Sequence, residues 1–441
     1  MMAFKRQCSR KTLILIAVFF VFVFILYIGA VAVVPGKITL LQGEDYAYDF
    51  KSPFLIGVKA DRDDVIKLYS NDMKKSDSYI NLSNQLHFKT QKLGSVNLKM
   101  KIFGLIPVKT VQVDIVPNNK VVACGNTIGV KLTIDGILVI GLSDVETVDG
   151  KKLLPAKDVG IKTGDILMEI NREKLDGTEN LIRQIENSRG EKLKLRIRRD
   201  SSIIETEIKP VKAADDKKYH IGLWVRDSTA GIGTLTFYDP VTKSFGALGH
   251  GITDIDTGTL MPVSEGEILE SNILAVKKGQ PGNPGELKGV FIEDKNKLGI
   301  IQKNCNYGIY GTLREDAINR INSKQYPVAL RSQVKEGNAS ILANIDGKSV
   351  EEFSVEIQKV SRQNLSSTKG MIIKITDKRL LNATGGIVQG MSGSPILQDG
   401  RLVGAVTHVL VNDPTRGYGI FIEGMLKNLI SENPQNKEKA G

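Results

Sequence analysis

Three cysteines in 441 residues are too few for a disulfide framework, and Cys8, Cys124 and Cys305 lack the close spacing of metal ligands. Cys8 lies in the N-terminal flank, so Cys124 to Cys305 is the single bridge available outside it, and two unpaired buried thiols are expected. The four histidines, His87, His220, His250 and His408, are scattered without a zinc-binding pattern, so neither a metal nor another cofactor is expected. Aromatic residues are scarce, at 6%, and nowhere interleave with a basic stripe. The net charge of +11 is spread along the chain, which argues against a nucleic-acid surface. With 41% apolar and 25% charged residues, the composition is that of a globular protein, and excludes a disordered chain, a collagen-like fibre and a polytopic membrane protein. The length suggests about three folding units of roughly 150 residues.

One long apolar run is present. Leu13–Val34 holds 22 residues without a charge and follows Lys5, Arg6, Arg10 and Lys11. As a helix rising 1.5 Å per residue it spans a hydrocarbon core of about 30 Å. The basic flank places the N-terminus in the cytoplasm and sends the remainder outward. Signal-peptide cores are shorter, which favours an uncleaved anchor; Ala30-Val31-Ala32 nonetheless fits the small-x-small pattern of a signal peptidase site. Residues 1–36 are therefore a cytoplasmic flank with an anchor or signal, and the chain beyond them is expected to be extracytoplasmic.

Beyond the run the chain reads as mainly β. Residues 37–118 carry short strand-like stretches such as KITLL (37–41) and SVNLKMKIF (95–103), with the alternation of VKTVQVDIV (108–116), and are expected to form a small β-sandwich-like spacer. Pro117-Asn118-Asn119 marks a boundary turn. Residues 119–213 hold IDGILVIGL (134–142), then PAKDVGIKTGDILMEIN (155–171), a helix capped by Thr178 with Leu181, Ile182 and Ile185 on its apolar face, and the alternating EKLKLRIRRD (191–200). This stretch resembles a PDZ domain, an α+β module that binds extended peptides by strand addition, with backbone N–H groups receiving a terminal carboxylate. Asp135, Gly136, Ile137, Leu138 and Val139 are the candidate loop and strand for that ligand, either a partner peptide or the chain itself; alternatively, Gly136 only makes a turn and the groove is idle. Asp215-Asp216-Lys217-Lys218 is a charged linker. Residues 219–430 are Gly-rich and alternating, which points to a β-barrel or sandwich, and 431–441 form a polar tail.

Chemistry concentrates in the last unit. In Gly390-Met391-Ser392-Gly393-Ser394-Pro395, a glycine two positions before a serine lets the backbone bend so that the N–H groups of Gly390 and Ser392 converge as an oxyanion hole. A plain Gly/Ser turn is the competing reading. Ser394 is the rival nucleophile, disfavoured because it lacks a glycine two residues earlier. The following hairpin, through Leu402–Thr407, would form a substrate wall, with His408 just past it. Upstream, Phe245-Gly246-Ala247-Leu248-Gly249-His250-Gly251 sets a histidine between glycines at the end of an apolar strand. The order His before Ser is that of chymotrypsin-like peptidases. A third member is less legible. Asp254, Asp256, Asp294, Asp316, Asp346 and Asp377 all lie between the two; Asp346 precedes Gly in a turn and Asp294 sits in a charged loop. Asp377 ends the strand MIIKIT, where a carboxylate can be held against an imidazole, although Lys378 and Arg379 allow a surface ion pair instead.

The whole arrangement, with its membrane segment, PDZ-like stretch, GALGHGI and GGIVQGMSGSPILQDGRLVGAVTHVLVNDPTRGYGIFIE, closely resembles the stage IV sporulation protein B peptidase family of endospore formers. The resemblance implies a chymotrypsin-like double β-barrel with His250 as general base, Ser392 as nucleophile and Asp377 as the acid. It also implies export from the forespore into the space between the two spore membranes. There the family cleaves a regulator of an intramembrane metalloprotease and so allows processing of a late mother-cell sigma factor precursor (pro-sigma-K). Self-cleavage between anchor and PDZ domain is a further expectation; a non-catalytic PDZ-bearing adaptor is the alternative. Two departures stand out: Asp377 precedes Ser392 by only 15 residues, and the PDZ stretch precedes the peptidase.

Overall fold

The computed structural model describes residues 36–48, 56–69, 80–82, 86–116, 120–291, 297–321, 324–361 and 368–430, together with Asn118 and scattered positions between 14 and 28. Cys8, Asp294, the polar tail and most of the apolar run 13–34 lie outside these. Among the described residues no helix is long and apolar enough to cross a membrane. The helical positions described within the run are exposed, among them Ile14, Leu15 and Val18, except Tyr27, which is half-buried. The chain divides into two compact units, residues 1–118 and 119–441.

The first unit is built from alternation. In Gly94–Ile102 the side chains of Val96, Leu98, Met100 and Ile102 are buried while Ser95, Asn97 and Lys99 face water, the period of two that a one-sided sheet requires. A tight turn through Phe103 and Gly104, both at positive φ, returns the chain as Ile106–Val116. Five strands form this sheet and three more a second one, and Phe88 and Ile66 of the second pack into a shared core with Val58, Leu98 and Val113 of the first.

Two closed barrels dominate the second unit. The first has six strands: β1 (Thr127–Leu142), β2 (Leu223–Tyr238), β3 (Ser244–Ala247), β4 (Val263–Lys277), β5 (Lys297–Cys305) and β6 (Gly308–Leu313). They pair antiparallel in the ring β1-β4-β5-β6-β3-β2 and back to β1. Ile128, Val130, Leu132, Leu235, Phe245 and Ile268 fill it. The second barrel closes β7 (Gly337–Ala343), β8 (Glu351–Val360), β9 (Met371–Ile375), β10 (Pro395–Gln398), β11 (Arg401–Leu410) and β12 (Asp413–Phe421) around Ile341, Phe353, Ile373, Val403 and Phe421. Cys124 and Cys305 are not bridged to each other, the first being buried and the second half-buried.

The PDZ-like module is placed differently from a bead ahead of the peptidase. Strand β1 runs for 16 residues, and its first half, Thr127–Thr133, pairs with Ser228–Thr234 of β2 inside the barrel. After a register shift its second half, Leu138–Leu142, pairs with Leu223–Arg226 of the same β2, now within the module. The module is thus an insertion at the tip of the barrel's first hairpin. The sequence offers no break because both halves are apolar strands; the ladder shift is made at Gly136, where φ is +102° and a Cβ would stand 2.6 Å from the Leu167 carbonyl oxygen. Within the module, helix α1 (Thr178–Asn187) lays Leu181 and Ile185 on a core with Ile137, Val139, Leu167 and Leu195.

Candidate active site

His250 and Ser392 come together at one cavity of about 940 Å³ lined by residues of both barrels. Strand β3 ends at Ala247, and Leu248 and Gly249, at φ +68° and +72°, turn the chain so that His250 faces the cavity. On the other side Gly390 and Gly393 stand at φ +97° and +99° on either side of Ser392. Gly393 also has no room for a side chain: a Cβ there would lie 2.1 Å from the Thr234 carbonyl oxygen and 2.6 Å from the Leu248 nitrogen. The Gly-x-Ser-Gly pattern is therefore demanded by both torsion and space.

Thr234 of β2, which sequence reasoning passed over, ties the two sides. Its N–H donates to the Ser392 carbonyl at 2.9 Å, its buried hydroxyl donates to the Gly390 carbonyl at 2.7 Å, and its own carbonyl accepts from the Leu248 N–H at 3.2 Å. A buried threonine in an apolar strand carries no sequence mark of such a role.

The oxyanion hole has a physical basis. The Leu287 N–H donates to the Gln389 carbonyl at 2.9 Å, which fixes the plane of the Gln389–Gly390 peptide and turns the Gly390 N–H the other way. Among the described residues neither the Gly390 nor the Ser392 N–H donates to a protein acceptor, and both residues line the cavity. Two unpaired donors beside a hydroxyl are what a tetrahedral oxyanion requires. Ser394, the rival nucleophile, is fully buried, does not line this cavity, and its hydroxyl finds no partner among the described residues.

His250 accounts for its own tautomer. Its Nδ1 lies 2.9 Å from the Gly251 carbonyl oxygen, which only accepts, so Nδ1 carries the proton and Nε2 the lone pair. Burial pulls the imidazole below its ordinary pKa, against the smaller opposing effect of that hydrogen bond, and keeps the ring neutral at pH 7. His408 stands at the cavity mouth with its ring 4.8 Å from that of His250 and tilted by 36°. Burial of its inner part, then the charges of His250 and Lys369, bring it down to about 4. The Ser392 hydroxyl donates at 2.7 Å to the Thr407 carbonyl, so in this state it rests on the substrate-wall strand β11 and must rotate to meet Nε2.

The acid is a correction. Asp377 does not line the cavity; it is the N-cap of helix α2 (Lys378–Thr384), accepting from the Arg379 N–H at 2.8 Å, from the Arg379 guanidinium and from the Ser354 N–H. The guanidinium first, and those backbone donors, hold its carboxyl down at about 2 against a raising effect of burial. A carboxylate placed just before a helix is as well suited to capping as to orienting an imidazole, and capping is what it does here. No acidic side chain lines the cavity among the described residues. Asp254 and Asp256 pair with Arg226, Asp316 with Arg314, and Asp346 accepts from the Lys348 N–H. The role of orienting His250 falls to its neighbour's carbonyl.

The expected peptide groove also moves. Ile137 and Leu138 pair with Leu167 and Ile166 on one side, and Leu138 and Val139 with Arg226 and Val225 on the other. Ile137, Leu138 and Val139 are fully buried, and Asp135 is ion-paired with Lys174 and Arg198. Residues 135–139, with Gly136 at the register shift, are an interior strand and offer no edge. The edge belongs to Leu223–Asp227 at the start of β2, which pairs with β1 on one side and runs beside α1 on the other, where the Thr178 N–H donates to the Asp227 carboxylate at 2.8 Å. Just before it, Ile221 and Gly222 have N–H groups with no protein acceptor among the described residues, at a turn where Gly222 has φ +71°. Consecutive free N–H groups at the head of an open strand are donors of the kind that can receive a carboxylate.

A serine hydroxyl, two free oxyanion donors and a neutral imidazole between two six-stranded barrels define a serine peptidase. Residues 217–426 match the family described as SpoIVB peptidase S55, and this segment is consistent with that family. Among solved structures, the PDZ domain of an SdrC-like protein from Listeria monocytogenes is 22% identical over 21% of this chain and 87% of its own, with a TM-score of 0.18. The active form of the Rv3671c protease from M. tuberculosis is 12% identical over 46% of this chain and 75% of its own, with a TM-score of 0.26. An HtrA-type protease, AlgW, with a decapeptide is 12% identical over 47% and 55%, also at 0.26.

Proposed function

We propose that the chain is an exported serine endopeptidase acting in sporulation signalling. It sits in the space between forespore and mother-cell membranes, held or exported through residues 13–34. Its substrate is a protein that regulates an intramembrane metalloprotease, whose release allows processing of the late mother-cell sigma factor precursor. Ser392 attacks the peptide carbonyl, His250 Nε2 takes its proton, and the Gly390 and Ser392 N–H groups receive the oxyanion. The pair of unpaired donors beside Ser392 carries this reading. The segment between anchor and PDZ-like module is the proposed site of self-cleavage, because it is tethered to the same molecule.

The test is labelling of the full-length chain with a fluorophosphonate and mapping of the adduct. An adduct on Ser392 that is lost in His250→Ala supports the reading. The resting of the Ser392 hydroxyl on Thr407 favours a second reading, a PDZ-bearing adaptor without catalysis. A folded chain that takes up no label supports that one. Self-cleavage is read from the N-terminus after long incubation: new ends in the wild type, none in Ser392→Ala.

A further inference from the structure

One turn of the first unit carries apolar side chains where a hairpin ordinarily carries polar ones. Phe103 is 58% exposed, Leu105 80% and Ile106 52%, all at the tip that joins Gly94–Ile102 to Ile106–Val116. Contiguous exposed apolar side chains of this kind mark a contact surface. The charge on the hairpin has one sign: residues 91–113 hold Lys92, Lys99, Lys101 and Lys109 and no Asp or Glu.

The strand ladder gives the direction of the tip relative to residues 13–34. Strand Lys37–Leu41 pairs parallel to Ile106–Val116, with Lys37 opposite Gln112, and the Gln112 N–H donates to the Gly36 carbonyl at 3.1 Å. In a parallel pair, the chain before Lys37 heads the same way as the chain before Gln112, toward Ile106. A Cβ on Gly36 would lie 3.8 Å from Cε of Lys109, on that path. Tyr27, inside the apolar run, donates its hydroxyl to the Pro107 carbonyl at 3.2 Å. Ile106 stands six residues from Gln112, roughly 20 Å of strand, whereas Val34 stands only three residues from Lys37. With Val34 ending a membrane helix, the tip therefore overshoots that end and reaches the level of Tyr27, about 10 Å further in at 1.5 Å per helical residue.

We propose that residues 103–106 insert into the outer interface of an anionic bilayer beside the apolar run, with Lys99, Lys101 and Lys109 against the lipid phosphates. The proposal rests on the membrane reading of residues 13–34 above. The depth matches the roughly 5–10 Å to which apolar interfacial elements sink, and flanking lysines add attraction to anionic headgroups. A single crossing fixes the height of the first unit and not its orientation; a second contact at the tip fixes both.

The experiment places a nitrobenzoxadiazole fluorophore on the full-length chain at Leu105→Cys or, as a control at the other end of the same strand, at Leu93→Cys. The background is Cys8→Ser with Cys305→Ser, and Cys124 is buried. The chains are reconstituted in vesicles of equal phosphatidylglycerol and phosphatidylcholine. Flotation reports attachment, and quenching by lipids with a nitroxide high on the acyl chain reports depth. The chains are expected to float, with the fluorophore at Leu105→Cys brightening about threefold or more and being quenched, and that at Leu93→Cys changing by less than about a fifth. Ile106→Cys should behave as Leu105→Cys does. A floated chain whose tip fluorophore stays aqueous overturns the proposal and leaves the patch to a protein partner, while the membrane reading stands. Equal quenching at both ends also overturns it, because the unit then lies on lipid without selecting the tip. A chain that does not float overturns the membrane reading, and the bilayer as occupant with it.

Discussion

At the scale of single residues the turn around Ser392 was the most legible part of the molecule, because its glycines answer to geometry that no other residue satisfies. Gly393→Ala puts a Cβ against the backbone of Thr234 and forces a positive φ, costs of several kcal/mol together. Loss of fluorophosphonate labelling is the expected result, and unchanged labelling would mean the turn opens freely. Asp377 was legible only as a choice between two roles, since a carboxylate before a helix and beside an arginine looks the same in both. As a cap it is replaceable by asparagine: Asp377→Asn should label within about threefold of wild type, and Asp377→Ala should lose about 1 kcal/mol in a denaturation curve. A ~10⁴-fold drop in Asp377→Asn, the size seen when a triad acid is neutralised, would return Asp377 to the side of His250. The imidazoles give a pH signature. His250 must be neutral to act and its pKa is depressed, so labelling should persist below pH 6.5 and fall with a midpoint lower than that. Both rings bind protons more weakly folded than unfolded, so stability is lost as the pH falls from about 6.5 toward about 4, where His408 titrates. His408→Gln should flatten that slope in thermal melts taken across the window.

Elements were harder to place than residues, for reasons of strand physics. An apolar run such as Ile137-Leu138-Val139 is equally compatible with a ligand-facing edge and a doubly covered interior strand, because periodicity reports burial and not which neighbour provides it. The β2 edge is marked by free backbone N–H groups, which a sequence does not display. The same applies to the short pairing of Leu287 with Gln389, which sets the oxyanion peptide. Leu287→Pro removes that N–H, frees the peptide plane and should slow acylation by about 10²–10³-fold, the value of one oxyanion donor. Retention of the wild-type rate in a folded Leu287→Pro chain would show that the Gly390 donor is held by other means.

For the whole molecule the sequence conveyed a mainly β chain with a serine peptidase at its end, and concealed that the first barrel borrows a strand from before the PDZ-like module. The segment matching the family model, residues 217–426, lacks Thr127–Ile134. That strand buries Ile128, Val130 and Leu132, roughly 1.5–3 kcal/mol each, which is comparable to the 5–15 kcal/mol that holds a domain folded. Expressed alone, 217–426 should show no cooperative melt, whereas a chain starting at Lys120 and ending at Ile430 should melt cooperatively and label at Ser392. A cooperative, labelling 217–426 fragment would show that the barrel closes without β1.

The nested hairpin also sets an order of events for a chain made from its N-terminus. Strand β1 leaves the ribosome long before its partner β2, and closing a long loop to bring them together is entropically slow. The inserted module has its own core, so its collapse draws Thr133 and Ser228 side by side and converts a distant pairing into a local one. Folding of the PDZ-like module is then the nucleation step for the first barrel. Until that module has folded, the ring that carries His250 stays open, and the unfinished chain is a latent precursor.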